Sequence, residues 1–232
     1  MQGTLVNAIA VIIGSLIGLG LRGSFPDRIK SIVFQGIGLV TLFIGFHMSL
    51  RTGNLVALFF SMLIGAIIGE AIDIEKHIEG FGNFVKSKLS SKEDKFVEGF
   101  ITAFLIFCMG SMTIVGSIED GLKGNPSILY AKSMLDCFAS ISLASVLGIG
   151  VLFSAIPLFL FQGGITLLAS LSRSFFTEAV INELSATGGI ILIGLGINIL
   201  EIKKIRVANL LPSLLISAII VYLLPLFIEL MG

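Results

Sequence analysis

The stretch KSMLDCFASISLASVLGIGVLFSAIPLFLFQGGITLLASLSR, Lys132–Arg173, decides the architecture. From Cys137 to Ser172 it holds no charged residue. As one helix at about 1.5 Å per residue, that run would measure about 54 Å against a hydrocarbon core of about 30 Å. It has to turn. Gly148-Ile149-Gly150 and Pro157 supply the break, since glycine weakens a helix and proline removes a backbone donor and clashes with the preceding turn. The stretch reads as two membrane helices, Met134–Leu152 and Ser154–Leu171.

Outward from it, runs of similar length recur at Leu5–Leu21, Ile32–Leu50, Leu55–Ile72, Phe100–Ser117, Ala186–Leu200 and Leu210–Leu230. Composition agrees: 55% of the 232 residues are hydrophobic and only 13% are charged, about half the share in a soluble domain. Its polar residues could not cover an apolar interior with a wettable surface, so lipid is the solvent. The chain reads as a single all-α integral membrane domain, 1–232, of about eight transmembrane helices. The first apolar run lacks a basic leader and is expected to remain as the first span.

Charge sets the orientation, because cytoplasmic loops collect Lys and Arg. With eight spans and both termini outside, the inner loops hold eleven basic residues: Arg22, Arg28, Lys30, Lys76, Lys86, Lys88, Lys92, Lys95, Lys203, Lys204 and Arg206. The outer side holds four: Arg51, Lys123, Lys132 and Arg173. Counting the double run as one crossing lowers the contrast to nine against six. The expected location is a bacterial inner membrane with periplasmic termini. Residues 73–95 place Ile74, Ile78, Phe81, Val85 and Leu89 at helical spacing among lysines, which predicts an amphipathic cytoplasmic helix on the inner leaflet. Net charge is zero, so no field favours nucleic acid.

Sliding the chain on itself by about 130 residues matches Gly18-Leu-Gly20 with Gly148-Ile-Gly150, Phe34-Gln-Gly36 with Phe161-Gln-Gly163, and Leu63-Ile-Gly65 with Leu192-Ile-Gly194. Two parallel four-helix repeats, 1–117 and 132–232, would produce this. A displacement of 151 also aligns Gly38 with Gly189 and Gly45 with Gly196, so chance matching in Gly/Leu-rich sequence competes with duplication.

The strings GTLVNAIAVIIGSLIG, FCMGSMTIVGSIEDGL, KSMLDCF with the later Phe161-Gln-Gly163-Gly164, and GLGINILEIKKIRVANLLP resemble the bacterial membrane family catalogued as domain of unknown function 554. The resemblance covers nearly the whole chain. It implies a polytopic inner-membrane protein and transfers no site residues.

Candidate site residues therefore come from polar side chains within the spans, which normally face the bundle interior. Asp136 is the ionisable one. It reads either as a cation or substrate contact, or as part of a Ser133-x-x-Asp136 capping box assisted by Lys132. Gln35 and Gln162, each followed by glycine, offer amides suited to a neutral or zwitterionic ligand, or else to interhelical glue. Ser111 and Thr113, among the glycines of the fourth span, could with Asp136 coordinate sodium if that helix unwinds; otherwise they let helices approach closely. Asn7 and Asn198 are further in-span amides, read first as packing contacts. His47 reads as a satisfied interior histidine, and the cysteines as small packed hydrophobes. Small-residue stripes such as Gly14-x3-Gly18 and Gly65-x3-Gly69 serve close helix contact and would serve a homodimer too.

No nucleophile–base pair or phosphate loop is present, so the chain is not expected to be an enzyme. The first functional expectation is a secondary transporter of a small solute, with sodium or protons as candidate coupling ions and no other cofactor. A non-transporting scaffold or regulatory protein is the second reading, and an ion channel the third.

Overall fold

The computed structural model describes residues 1–22, 26–88, 95–171 and 174–231. Every described element is helical: α1 (Gln2–Leu21), α2 (Asp27–Ser49), α3 (Leu55–Ile72), α4 (Ile74–Lys88), α5 (Phe96–Met109), α6 (Ser111–Lys123), α7 (Ser127–Leu147), α8 (Gly150–Phe153), α9 (Ala155–Leu171), α10 (Glu178–Ile199), a 3-10 turn at Val207–Leu210, and α11 (Pro212–Met231).

Six segments among the described residues are long and apolar enough to cross a membrane, and a seventh follows if α5 and α6 are one span bent by 57°. The expected eight are not reached on length and apolarity alone. The shortfall lies in α7, which is 21 residues long but dilutes its apolar content with Lys132, Asp136 and five serines. The expected span Phe100–Ser117 is interrupted at Gly110, where ψ is 142°. Thr113 Oγ1 donates to the Phe107 carbonyl at 2.7 Å, so one acceptor released by the break finds a partner.

The uncharged double run does turn at Gly148, whose φ of +85° is a conformation that suits glycine. Pro157 stays in the first turn of α9, where a missing N–H costs little. The expected start of α7 at Met134 is corrected: the helix begins at Ser127 after Pro126. Asn125 Oδ1 accepts from the Ser127 amide at 3.2 Å and from its hydroxyl at 2.6 Å. Helix initiation is thereby fixed two turns earlier, and Lys132 and Asp136 move from the helix mouth into its body.

Contacts sort the helix ends into two groups. At one end, the Gly3 amide donates to Asp120 near the end of α6 at 3.3 Å, and Gly3 also abuts Leu129 at the start of α7. Ile118, Ala169 and Ile181 pack together there, joining α6, the end of α9 and the start of α10. The Thr52–Asn54 turn between α2 and α3 is tied to Glu183 of α10. At the other end, Gly18 of α1 lies on Ile141 and Ala144, Gly38 of α2 meets Ile199 and Leu200, and Gly150 meets Phe96 of α5. Glu70 of α3 pairs there with Arg206 and Asn209. Along the chain, α1, α2, α3, the α5–α6 pair, α7, α8–α9, α10 and α11 alternate in direction between these ends.

Close helix pairs hold the bundle, three of them lined by glycines spaced along a seam. α1 and α7 run parallel so tightly that a Cβ on Gly14 would lie 2.3 Å from the Cys137 carbonyl oxygen, and one on Gly18 2.3 Å from that of Ile141. α2 meets α10 at Gly45 and Gly189, and α3 meets the Asn209–Ser213 segment at Gly65 and Gly69. The 151-residue displacement thus has a packing cause: Gly38 and Gly45 of α2, and Gly189 and Gly196 of α10, line one seam between those two antiparallel helices.

Candidate functional site

The α1–α7–α9 contact buries four polar heads together. Asn7 and Gln162 are 0% exposed, Lys132 4% and Asp136 7%. Asn7 Nδ2 donates to Asp136 Oδ2 at 3.0 Å and to Gln162 Oε1 at 3.0 Å. Lys132 Nζ, one turn before Asp136, donates to the same carboxylate oxygen. Its ammonium also lies 5.9 Å from the centroid of the Phe107 ring. The heads arrive from three helices: Asn7 from α1, the ion pair from α7, and Gln162 from α9, whose following Gly163 lies beside Thr4 of α1.

The cluster is charged inside yet neutral in sum. Burial of an ion pair is costly unless its remaining hydrogen-bonding capacity is met, and here Asn7 meets part of it. Two groups stay unmet: among the described residues, Asn7 Oδ1 and Gln162 Nε2 are fully buried without a hydrogen-bond partner. One is an acceptor, the other a donor with two hydrogens. Thr4 Oγ1, one turn from Asn7, is likewise buried and unpartnered. Asp136 lies nine residues into α7, about 14 Å along a helix of about 31 Å, so the heads sit well inside the bundle.

The structure thus brings together Asp136, Gln162 and Asn7. The capping-box reading of Asp136 is corrected, because Ser133 lies inside the helix and its hydroxyl donates back to the Leu129 carbonyl at 2.6 Å. Gln35 is not brought in: it is exposed on α2 beside Pro26, Arg28 and Ile32, so it and Gln162 occupy unlike settings despite their sequence match. Asn198 clamps a loop, donating to the Ile205 carbonyl and accepting from the Ile205 amide, both at 2.7 Å. Thr113 is buried and engaged at the α5–α6 break, and the Ser111 side chain lies outside the described part. His47, expected inside, is exposed and stacks on Phe43 at 6.5 Å.

The four-residue spacing of Lys132 and Asp136 puts both on one helix face, as expected, but the sequence placed the pair at the outer mouth of the helix and counted Lys132 as an outer-loop charge, whereas the structure buries both within α7. Sequence reasoning missed Glu183. That carboxylate is buried and accepts from Thr52 Oγ1 at 2.8 Å, the Gly53 amide at 2.7 Å and the Asn54 amide at 2.9 Å, which accounts for it as a brace of the α2–α3 turn.

A second polar feature opens at the opposite end of the bundle from this turn. A cavity of about 580 Å³ is bounded by Phe34, Glu75, Glu98, Asn198 and Lys204, among others. Burial, then the neighbouring Glu79, push the Glu75 carboxyl above its ordinary value of 4.5, against the lowering influence of Lys204, the Ala208 backbone and Arg206.

A bundle of long apolar helices with an ion pair enclosed in it defines an all-helical, polytopic membrane protein. The chain belongs to the family described as protein of unknown function (DUF554), whose model matches residues 2–222. It is 36% identical over 232 residues to the uncharacterized membrane protein YdfK of Bacillus subtilis, covering 98% of each chain. To the uncharacterized protein YqgA of Escherichia coli K12 it is 33% identical over 220 residues, covering 93% of this chain and 94% of the relative. No solved structure matches.

Proposed function

We propose that the protein is a secondary transporter of a small solute, driven by a proton or sodium gradient, and not an enzyme. One observation carries this reading: the Asn7–Lys132–Asp136–Gln162 cluster is buried among three helices with an acceptor and a donor unused. Helices held together only by polar glue would be expected to use up such groups, since an unmet buried amide costs about 1–3 kcal/mol. A site that is emptied and refilled keeps them for its cargo. Eight crossings, with the α5–α6 pair as one of them, belong to the same reading and are supported by the alternating helix directions. Two parallel halves fit the common direction of α1 and α7. An inner membrane with both termini periplasmic belongs to the same reading, and its orientation is supported by the lysines and arginines gathered at the end that carries α4 and the 200–206 loop.

The test is uptake by proteoliposomes across a panel of radiolabelled small solutes under an imposed ion gradient. Saturable accumulation that collapses with an ionophore, and is lost in folded Asp136→Asn, is the expected result. Current that does not saturate would instead make the protein a channel. Neither uptake nor current would leave a scaffold, with the cluster as its interior glue.

A further inference from the structure

We infer that the cargo of the Asn7–Lys132–Asp136–Gln162 cluster is a small zwitterion with its ammonium and carboxylate one carbon apart, as in an α-amino acid. The inference rests on the transport reading and names its substrate class. The cluster holds one cation and one anion in contact, so a cargo with net charge would leave that charge uncompensated among apolar helices, where it is expensive. A metal ion at Asp136 meets a further obstacle, because the Lys132 ammonium already occupies the same carboxylate oxygen as Asn7. An uncharged cargo entering between Lys132 and Asp136 would separate two charges and replace neither partner. A zwitterion replaces both.

The unused groups have the matching polarity. Asn7 Oδ1, an acceptor on the amide that already holds Asp136, faces no donor, and Gln162 Nε2, a donor, faces no acceptor. A cargo ammonium shared by Asp136 and Asn7 Oδ1, with a carboxylate shared by Lys132 and Gln162 Nε2, satisfies all four heads. The amino nitrogen and carboxyl carbon of an α-amino acid are about 2.5 Å apart, short enough to be placed between side chains that start one turn apart on α7. Lys132 and Asp136 share one face of α7, and the four-carbon lysine stem can swing by rotamer change.

The experiment is thermal unfolding of the full chain in lipid nanodiscs with glycine and L-alanine, set against lactate, which lacks the ammonium, alaninamide, which lacks the carboxylate, and sodium chloride. A ligand bound by the folded state alone raises the melting temperature in a saturable way. Glycine and alanine are expected to do so, with lactate and alaninamide at least about tenfold weaker in apparent affinity, the scale of one lost charge-assisted hydrogen bond. Lys132→Gln should reverse the preference towards alaninamide, and Asp136→Asn towards lactate. Should either single variant fail to fold, the neutral pair Lys132→Gln/Asp136→Asn should fold and lose the discrimination. Equal shifts from lactate or alaninamide in the native chain overturn the inference. So does the absence of any shift with glycine and alanine, which leaves water as the occupant, or a saturable sodium shift without an amino-acid shift. Binding of alanine without uptake would sink the transport reading alone; gradient-driven uptake of an uncharged or singly charged solute would sink this inference alone.

Discussion

Asn7 carries more of the candidate site than its size suggests, since its single NH2 group spans from Asp136 to Gln162. Among the described residues the Gln162 side chain is hydrogen-bonded through that link alone, and its own NH2 is unused. Gln162→Ala should therefore remove ligand affinity while costing little more than a cavity. Gln35→Ala, on an exposed face of α2, should change neither ligand affinity nor melting temperature. Equal damage to affinity from both substitutions, read by ligand-induced melting shifts, would restore the matched-repeat reading of these two amides. Glu75 gives a second residue-level expectation. Its folded-state pKa is raised, so it favours the folded state below its ordinary 4.5, and that contribution fades as pH climbs from there through the raised value. Glu75→Gln should flatten this decline, leaving the variant with the higher melting temperature at neutral pH. An unchanged pH–melting curve would show that Lys204 and Arg206 offset the burial of Glu75.

At the scale of helices, what was legible and what was not divides along one physical line. Local chemistry could be read: the glycine turn at Gly148, the helical loop beginning at Ile74, and the apolar runs all follow from residue type and spacing. Helix starts set by a neighbouring loop were harder, and the Asn125–Ser127 contact alone moves Asp136 from a cap to the interior. Partnerships between distant helices could not be read at all, because Asn7 and Gln162 are 155 residues apart and meet only through the α1–α7–α9 packing. That packing makes its own forecast. Gly14→Leu should drive α1 from α7, since even a Cβ there would lie 2.2 Å from Ser140 Oγ. A loss of several kcal/mol is expected, at or beyond the usual range for overpacking of about 1–3 kcal/mol. Gly164→Leu, with nothing within 4 Å of its Cβ position, should be nearly neutral. Comparable melting temperatures for the two variants would contradict the α1–α7 contact.

For the whole molecule, the decisive property is which end of the bundle faces the cytoplasm. Lys76, Lys203, Lys204 and Arg206 lie at the end with α4, whereas Arg51 and Lys123 lie at the other. Basic residues near short loops are retained on the cytoplasmic side during insertion, so the α4 end should be cytoplasmic and the start of α1 periplasmic. Eight crossings then return α11 to the periplasmic end. Cysteine substitution in intact cells tests both orientation and parity: Lys123→Cys should react with a membrane-impermeant maleimide, and Lys203→Cys only after the cells are opened. Of the native cysteines, Cys108 is buried and Cys137 half-buried, so a background in which both are replaced by alanine or serine keeps the readout clean. The two sites are separated by α7, α8–α9 and α10, an odd number of crossings. If α7, despite its Lys132–Asp136 pair, did not span, the number would be even and both positions would label alike. Opposite labelling would thus establish that an odd number of crossings lies between them, as expected if the ion pair is carried across the bilayer on a spanning helix. Matched labelling would reduce α7 to a surface helix and remove the enclosed site with it.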